Sequence, residues 1–195
     1  EHSKITSIYP HDSNISEFKI TEVLLKDYSN NDLFIFNGLT EEKTFIKTLK
    51  HNNSNIMIIN STENIPYEYS LEELWLDPNN LLTIANNIKN GFEEYIEAKY
   101  LIDEINENYQ KLKMELTSLD GKFYSNVKNS DFKYIIVSDD AFKFLEKYGL
   151  KVISLDPDTV FQKDITKAKE VIEDEECQYI YTKYNEETNE TLNGL

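Results

Sequence analysis

Three stretches of the chain carry side chains placed where chemistry could occur. His11 sits in Tyr9-Pro10-His11-Asp12, Glu73 in Leu71-Glu72-Glu73-Leu74-Trp75-Leu76-Asp77-Pro78, and Asp139 in Val137-Ser138-Asp139-Asp140-Ala141-Phe142, directly after an apolar run. In parallel α/β sheets ligands bind beyond the carboxyl ends of strands, and Asp139 has that placement. Charge balance narrows the ligand. Asp plus Glu number 36 against 20 basic residues, for a net charge of −16. All 20 are lysines, so the arginine fork that grips phosphate is missing. Nucleic acid and acidic membrane surfaces are poor partners for such a chain, and cations are better ones. Each residue also has a structural reading: His11 as a loop histidine, Glu72-Glu73 as a solvated acidic face, and Ser138-Asp139-Asp140 as the cap of a helix starting at Ala141.

The sequence nominates no enzyme. Its five glycines form no phosphate loop, and no serine lies in a Gly-x-Ser-x-Gly elbow. The histidines, His2, His11 and His51, lie in the first third, far in sequence from Cys177. No HExxH, CxxC or EF-hand loop occurs, and Asp156-Pro157-Asp158-Thr159 reads as an ordinary turn. Cys177 is single, which excludes an internal disulfide, and reads as a buried structural thiol in a strand.

These residues need elements to hold them. With 195 residues, 39% apolar and 29% charged, the chain is globular. It lacks the roughly 20 consecutive apolar residues of a membrane helix. It opens Glu1-His2-Ser3-Lys4, polar from the start, so an exported form would have had its targeting segment removed. Five short apolar runs read as strands covered on both faces: Leu33 to Phe36, Ile56 to Ile59, Tyr134 to Val137, Val152 to Leu155 and Cys177 to Tyr181. Helical patterns alternate with them: Ile15 to Leu25, a helix from Thr40 through Leu49, one with Ala141, Phe142, Leu145 and Tyr148 on its apolar face closed by Gly149, and Ile165 to Ile172.

The middle differs. Asp77-Pro78 starts a helix with Leu81, Ala85, Ile88 and Phe92 on one face, weakened near its end by Gly91. A stripe of Ala98, Ile102, Ile105, Tyr109, Leu112, Leu116 and Leu119 then predicts a helix of at least 22 residues, packed along both halves and ended by Asp120-Gly121. The expected fold class is α/β: two parallel-sheet βα lobes joined by a long rigid helix. The expected boundaries are an N-terminal lobe over 1–78, a helical segment over 79–120 and an incomplete C-terminal lobe over 121–195. The tail from Asn185 is polar, and the natural chain is expected to continue beyond both ends.

Taken in order, these segments resemble the metal-binding solute-binding proteins of bacterial ABC importers, the zinc/manganese cluster. Tyr9-Pro10-His11 is similar to the family's Asp-Pro-His loop, and the strand ending Asn37-Gly38 to its Asn-Gly strand. Glu73-Leu74-Trp75-Leu76-Asp77-Pro78 is similar to its His-x-Trp-Leu-Asp-Pro, and Asp139-Asp140-Ala141-Phe142 with Tyr148-Gly149 to its His-Asp-Ala-Phe and following Tyr-Gly. The resemblance implies a divalent metal held between lobes by His11, Glu73 and Asp139, with Trp75 and Asp77-Pro78 as structural neighbours. The family's fourth, acidic ligand has no counterpart, and the family's second histidine is replaced by Glu73. One imidazole and two carboxylates form an oxygen-rich set that favours Mn or Fe over Zn. The implied role is an extracytoplasmic, cell-surface-anchored lipoprotein subunit, monomeric and not an enzyme, delivering metal to an ABC permease. The altered ligand positions keep an alternative open: a degenerate relative that binds no metal and acts as a surface interaction or adhesion protein, or binds another small solute.

Overall fold

The structure, a computed structural model, describes residues 4–11, 18–68, 71 and 73–183. The start of the helix expected over Ile15–Leu25, the tail from Asn185, Asp12 and Glu72 lie outside the described residues. In chain order the elements are α1 (Glu22–Tyr28), β1 (Leu33–Phe36), a 3-10 turn (Glu41–Thr44), α2 (Phe45–Asn52), β2 (Met57–Asn60), α3 (Glu73–Leu76), α4 (Pro78–Tyr95) and α5 (Lys99–Asn129). There follow β3 (Tyr134–Val137), a 3-10 segment (Asp140–Tyr148), β4 (Lys151–Ser154), α6 (Gln162–Glu173) and β5 (Ile180–Tyr181). This is the α/β class expected, with all strand pairs parallel.

β1 and β2 form one sheet, and β4-β3-β5 form the other. The register pairs Leu33 with Met57 in the first, and Tyr134 with Lys151 and Ile136 with Ile180 in the second. The first core gathers Leu25, Phe34, Leu49 and Ile56; the second gathers Ile136, Ile153, Leu155, Ala168, Val171 and Cys177. Strands this short depend on such burial, because each covered aliphatic side chain contributes about 1.5–3 kcal/mol. Cys177 is buried as expected, but not in a strand. The Glu176 and Cys177 amides both donate to the Val171 carbonyl, which turns the chain under α6 and delays β5 to Ile180.

Asp77 caps α4 as the sequence predicts: its Oδ1 accepts the Asn79 amide at 2.8 Å, with Pro78 at the first helical position. Gly91 has a packing role. A Cβ there would lie 2.4 Å from Cδ1 of Ile59, a buried residue of β2, so the glycine lets α4 close onto the first sheet. Three residues separate α4 from α5, and the two helices pack against each other as a hairpin.

Two expectations fail here. α5 does not stop at Asp120-Gly121 but runs to Asn129, because Phe123 and Val127 on its last turns find partners in Phe144 and Tyr148. Its stripe is also only partly covered: Leu116 is buried, whereas Leu112 and Leu119 are exposed. The apolar segment after Asp139 winds as a 3-10 helix rather than an α-helix. Ala141, Phe144 and Tyr148 are its buried apolar residues, with Leu145 partly buried against the same cluster, so Phe144 joins the expected face and Phe142 is only partly covered. Gly149 closes it at φ 96°, a left-handed conformation that side chains beyond glycine rarely adopt.

The two halves are fastened by a polar brace. Lys147 Nζ lies 2.5 Å from Asp77 Oδ1 and 3.4 Å from Asp120 Oδ1. The Tyr148 hydroxyl donates to Asp120 Oδ1 at 2.7 Å, and burial together with that carboxylate pushes its pKa up. One cluster thus joins the cap of α4, the middle of α5 and the end of the 3-10 segment.

Lys147→Met is expected to destabilise the protein by about 1 kcal/mol in urea unfolding, since the pair is partly solvated but leaves the largely buried Asp77 uncompensated. Gly91→Ala is expected to lose stability by about 1–2 kcal/mol despite alanine's better helix propensity, because overpacking against Ile59 outweighs it. A gain in stability from Gly91→Ala would contradict the close-approach account.

Candidate metal centre

The carboxyl ends of β1 and β2 are tied by a knot of amides and hydroxyls. The Gly38 amide donates to Asn60 Oδ1 at 3.1 Å and to Thr62 Oγ1 at 2.9 Å, and the Thr62 hydroxyl reaches Asn37 Oδ1 at 3.1 Å. A Cβ at position 38 would strike the Asn60 amide at 2.5 Å, which explains the glycine after Asn37. The 3-10 turn that follows carries Glu42, a buried carboxylate.

The loop bearing His11 docks on that turn. The Tyr9 hydroxyl donates to Glu42 Oε1 at 2.6 Å, and its ring meets Phe18 edge-on with centroids 5.4 Å apart. Burial, the bond to Glu42 and the charges of Glu42 and Glu41 all push the Tyr9 pKa up. The Tyr28 hydroxyl also donates to the Ile8 carbonyl at 3.5 Å. His11 itself is exposed, two residues beyond this anchor.

Glu73 opens α3, downstream of β2. It is not part of a solvated acidic face: it is only 6% exposed, and its Oε2 accepts the Glu68 amide at 3.1 Å. The Asp77 amide and the Asn80 side chain both donate to the Glu73 carbonyl, which holds the short helix against the start of α4. α3 also packs against the 3-10 segment that begins after Asp139, so the second and third candidate segments face each other across the two halves. Trp75 points outward, half exposed.

Asp139 does act as a cap, with Oδ1 accepting the Ala141 amide at 2.7 Å. Its second oxygen, Oδ2, is in ion-pair contact with Lys183 Nζ. Neighbouring Asp140 is fixed differently. Thr159 donates to its Oδ2 at 3.0 Å, Lys143 lies 2.9 Å from its Oδ1, and its amide donates to Asp156 Oδ2 at 3.1 Å. Burial pushes the Asp140 carboxyl up, but hydrogen bonds from Ser154, Lys143 and Thr159 and the Lys143 charge outweigh it and hold the group below its usual range. The Asp156–Thr159 stretch is a turn as expected, with Asp156 Oδ1 accepting the Asp158 amide at 3.0 Å. Asp156 also braces the loop that presents Asp139.

The three candidate residues therefore all lie on segments that follow, or dock upon, the carboxyl ends of parallel strands. The fold brings the Glu73 and Asp139 segments together. It does not draw all three side chains into one coordination sphere: among the described residues no group of three or more His, Cys, Asp or Glu side chains is arranged to hold a metal ion. Lys183 is the neighbour that the sequence did not disclose. Only the pairing of β5 with β3 brings it to Asp139, and residues 44 apart carry no pattern that marks them as partners.

No helix among the described residues is long and apolar enough to cross a membrane. No curated protein sequence matches the chain. Among solved structures it is similar to the metal-dependent lipoprotein YcdH from Bacillus subtilis, at 18% identity and a TM-score of 0.69, covering 93% of this chain and 71% of that one. It is also similar to a ZnuA, at 17% identity and a TM-score of 0.63, covering 88% and 69%. A third likeness is to a Mn-bound mutant of the periplasmic metal binding protein from candidatus liberibacter asiaticus, at 16% identity and a TM-score of 0.65, covering 90% and 69%. At these identities the likeness is one of fold, that of the ZnuA-type solute-binding proteins. A family model described as ZnuA, zinc-uptake complex component A, periplasmic, matches residues 1–193. That model's members are transport solute-binding proteins rather than enzymes, and since it spans nearly the whole sequence, the chain belongs to the ZnuA family.

Proposed function

We propose that the chain is the extracytoplasmic substrate-binding subunit of an ABC importer, capturing a divalent metal ion between two lobes, residues 1–78 and 121–195, for delivery to a permease. On this reading His11, Glu73 and Asp139 supply the ligands, an imidazole from the loop docked on Glu42, a carboxylate from α3 and a carboxylate beyond β3, and because they are not gathered into one sphere beforehand, binding of the ion must draw them together. The observation that carries the reading is the arrangement of these three segments at the carboxyl ends of parallel strands, with α3 packed against the segment that Asp139 caps. The neighbours named as metal-dependent or Mn-bound agree with it. Two carboxylates and one imidazole favour Mn²⁺ or Fe²⁺ over Zn²⁺, because hard oxygen donors suit the harder ions. The protein works as a monomer, anchored at the cell surface.

A second reading is favoured by the ion pair that already occupies Asp139. On that reading the chain has lost metal binding and serves as a surface interaction protein or binds another small solute.

Melting curves with and without Mn²⁺, Fe²⁺ and Zn²⁺ separate the two. At one hundred times its dissociation constant a bound ion is expected to add about 2.7 kcal/mol to stability. His11→Ala, Glu73→Ala and Asp139→Ala are each expected to abolish most of that gain. Identical melting with all three ions and with none would decide for the second reading.

A further inference from the structure

The parallel register of the second sheet fixes what lies beside Asp139. Ile136 pairs with Ile180 and Val137 with Tyr181, and the Ser138 amide continues the ladder by donating to the Tyr181 carbonyl at 3.0 Å. Two residues beyond each strand, the same offset sets Asp139 beside Lys183. The side chains follow the backbone: Lys183 Nζ contacts Asp139 Oδ2, with the carboxylate 21% and the lysine 43% exposed. The other carboxylate oxygen is committed to the Ala141 amide. The oxygen that a cation would take is therefore held by a cation built into the chain.

We propose that Lys183 is an internal competitor for the metal, and that an incoming divalent ion must displace its ammonium from Asp139. This deepens the reading of Asp139 as a ligand and rests on it. The consequences follow from charge. In the metal-free protein Lys183 neutralises Asp139. Once displaced, the ammonium stays close, two residues beyond a strand whose pairing with β3 anchors the segment, and its charge opposes the bound ion. The result is a site whose affinity is set low, and whose β5 end shifts when metal binds. Affinity set by a nearby lysine distinguishes this chain from one that offers three unopposed ligands.

The test is calorimetric titration of the purified protein with Mn²⁺ and with Zn²⁺, comparing wild type with Lys183→Met and Lys183→Gln, either of which removes the charge. Both variants are expected to bind about fivefold more tightly or better, since an ion pair of this exposure is worth up to about 1 kcal/mol and removing the lysine also removes repulsion. Lys183→Arg is expected to restore the lower affinity, and adding Asp139→Asn to Lys183→Met is expected to erase the gain. Binding by the variants but not by wild type supports the proposal in its strongest form, a site closed by its own lysine. Wild-type binding left unchanged or weakened by both neutral substitutions overturns the competitor while leaving the metal site intact. Binding by neither wild type nor variants overturns both.

Discussion

Parallel strand pairing is the constraint on which the rest of this structure depends. A parallel ladder sends every strand's carboxyl end the same way, so the segments that follow are gathered at one edge of each sheet. At the first sheet this edge carries the Asn37–Asn60–Thr62 knot and, docked on the turn beyond it, the Tyr9 anchor of the His11 loop. At the second it carries Asp139 and, by the same register, Lys183. The Lys147 brace to Asp77 and Asp120 ties the end of the 3-10 segment to the cap of α4 and to α5. Local pairing and one polar cluster thus bring the Glu73 and Asp139 segments, distant in sequence, side by side.

Much of this framework was legible in the sequence. The runs Leu33 to Phe36 and Tyr134 to Val137 are strands with those bounds, and the Asp77-Pro78 start is a capped helix. β2 is shifted one residue forward from its apolar run and β4 one residue back, because strand ends follow the ladder and not the hydrophobicity. Where the reading failed, tertiary contact overruled local preference. Gly121 did not end α5, since Phe123 and Val127 gain a core beyond it, and Cys177 is buried without being paired. Gly91 read as a weak point of α4, and its reason became visible only with Ile59 beside it.

The site was legible in part. The sequence marks Asp139 both as a helix cap and as a strand-end acid; one carboxylate oxygen makes the cap, and the other pairs with Lys183. For Glu73 the sequence offers a solvated face or a ligand position, and burial removes the first. Lys183 left no trace in the sequence, because its position depends on which strand β5 joins. Glu42 was equally silent: a second acid in an acidic pair gives no sign that a tyrosine 33 residues away will bury it.

The claim that matters most is that one imidazole and two carboxylates hold a metal. X-ray absorption at the metal edge of Mn²⁺- or Zn²⁺-loaded protein reads that directly. The account predicts an oxygen- and nitrogen-only shell at about 2.0–2.2 Å containing a single imidazole, lost in His11→Ala. The spectrum of the hydrated ion, or one unchanged by that substitution, would contradict it.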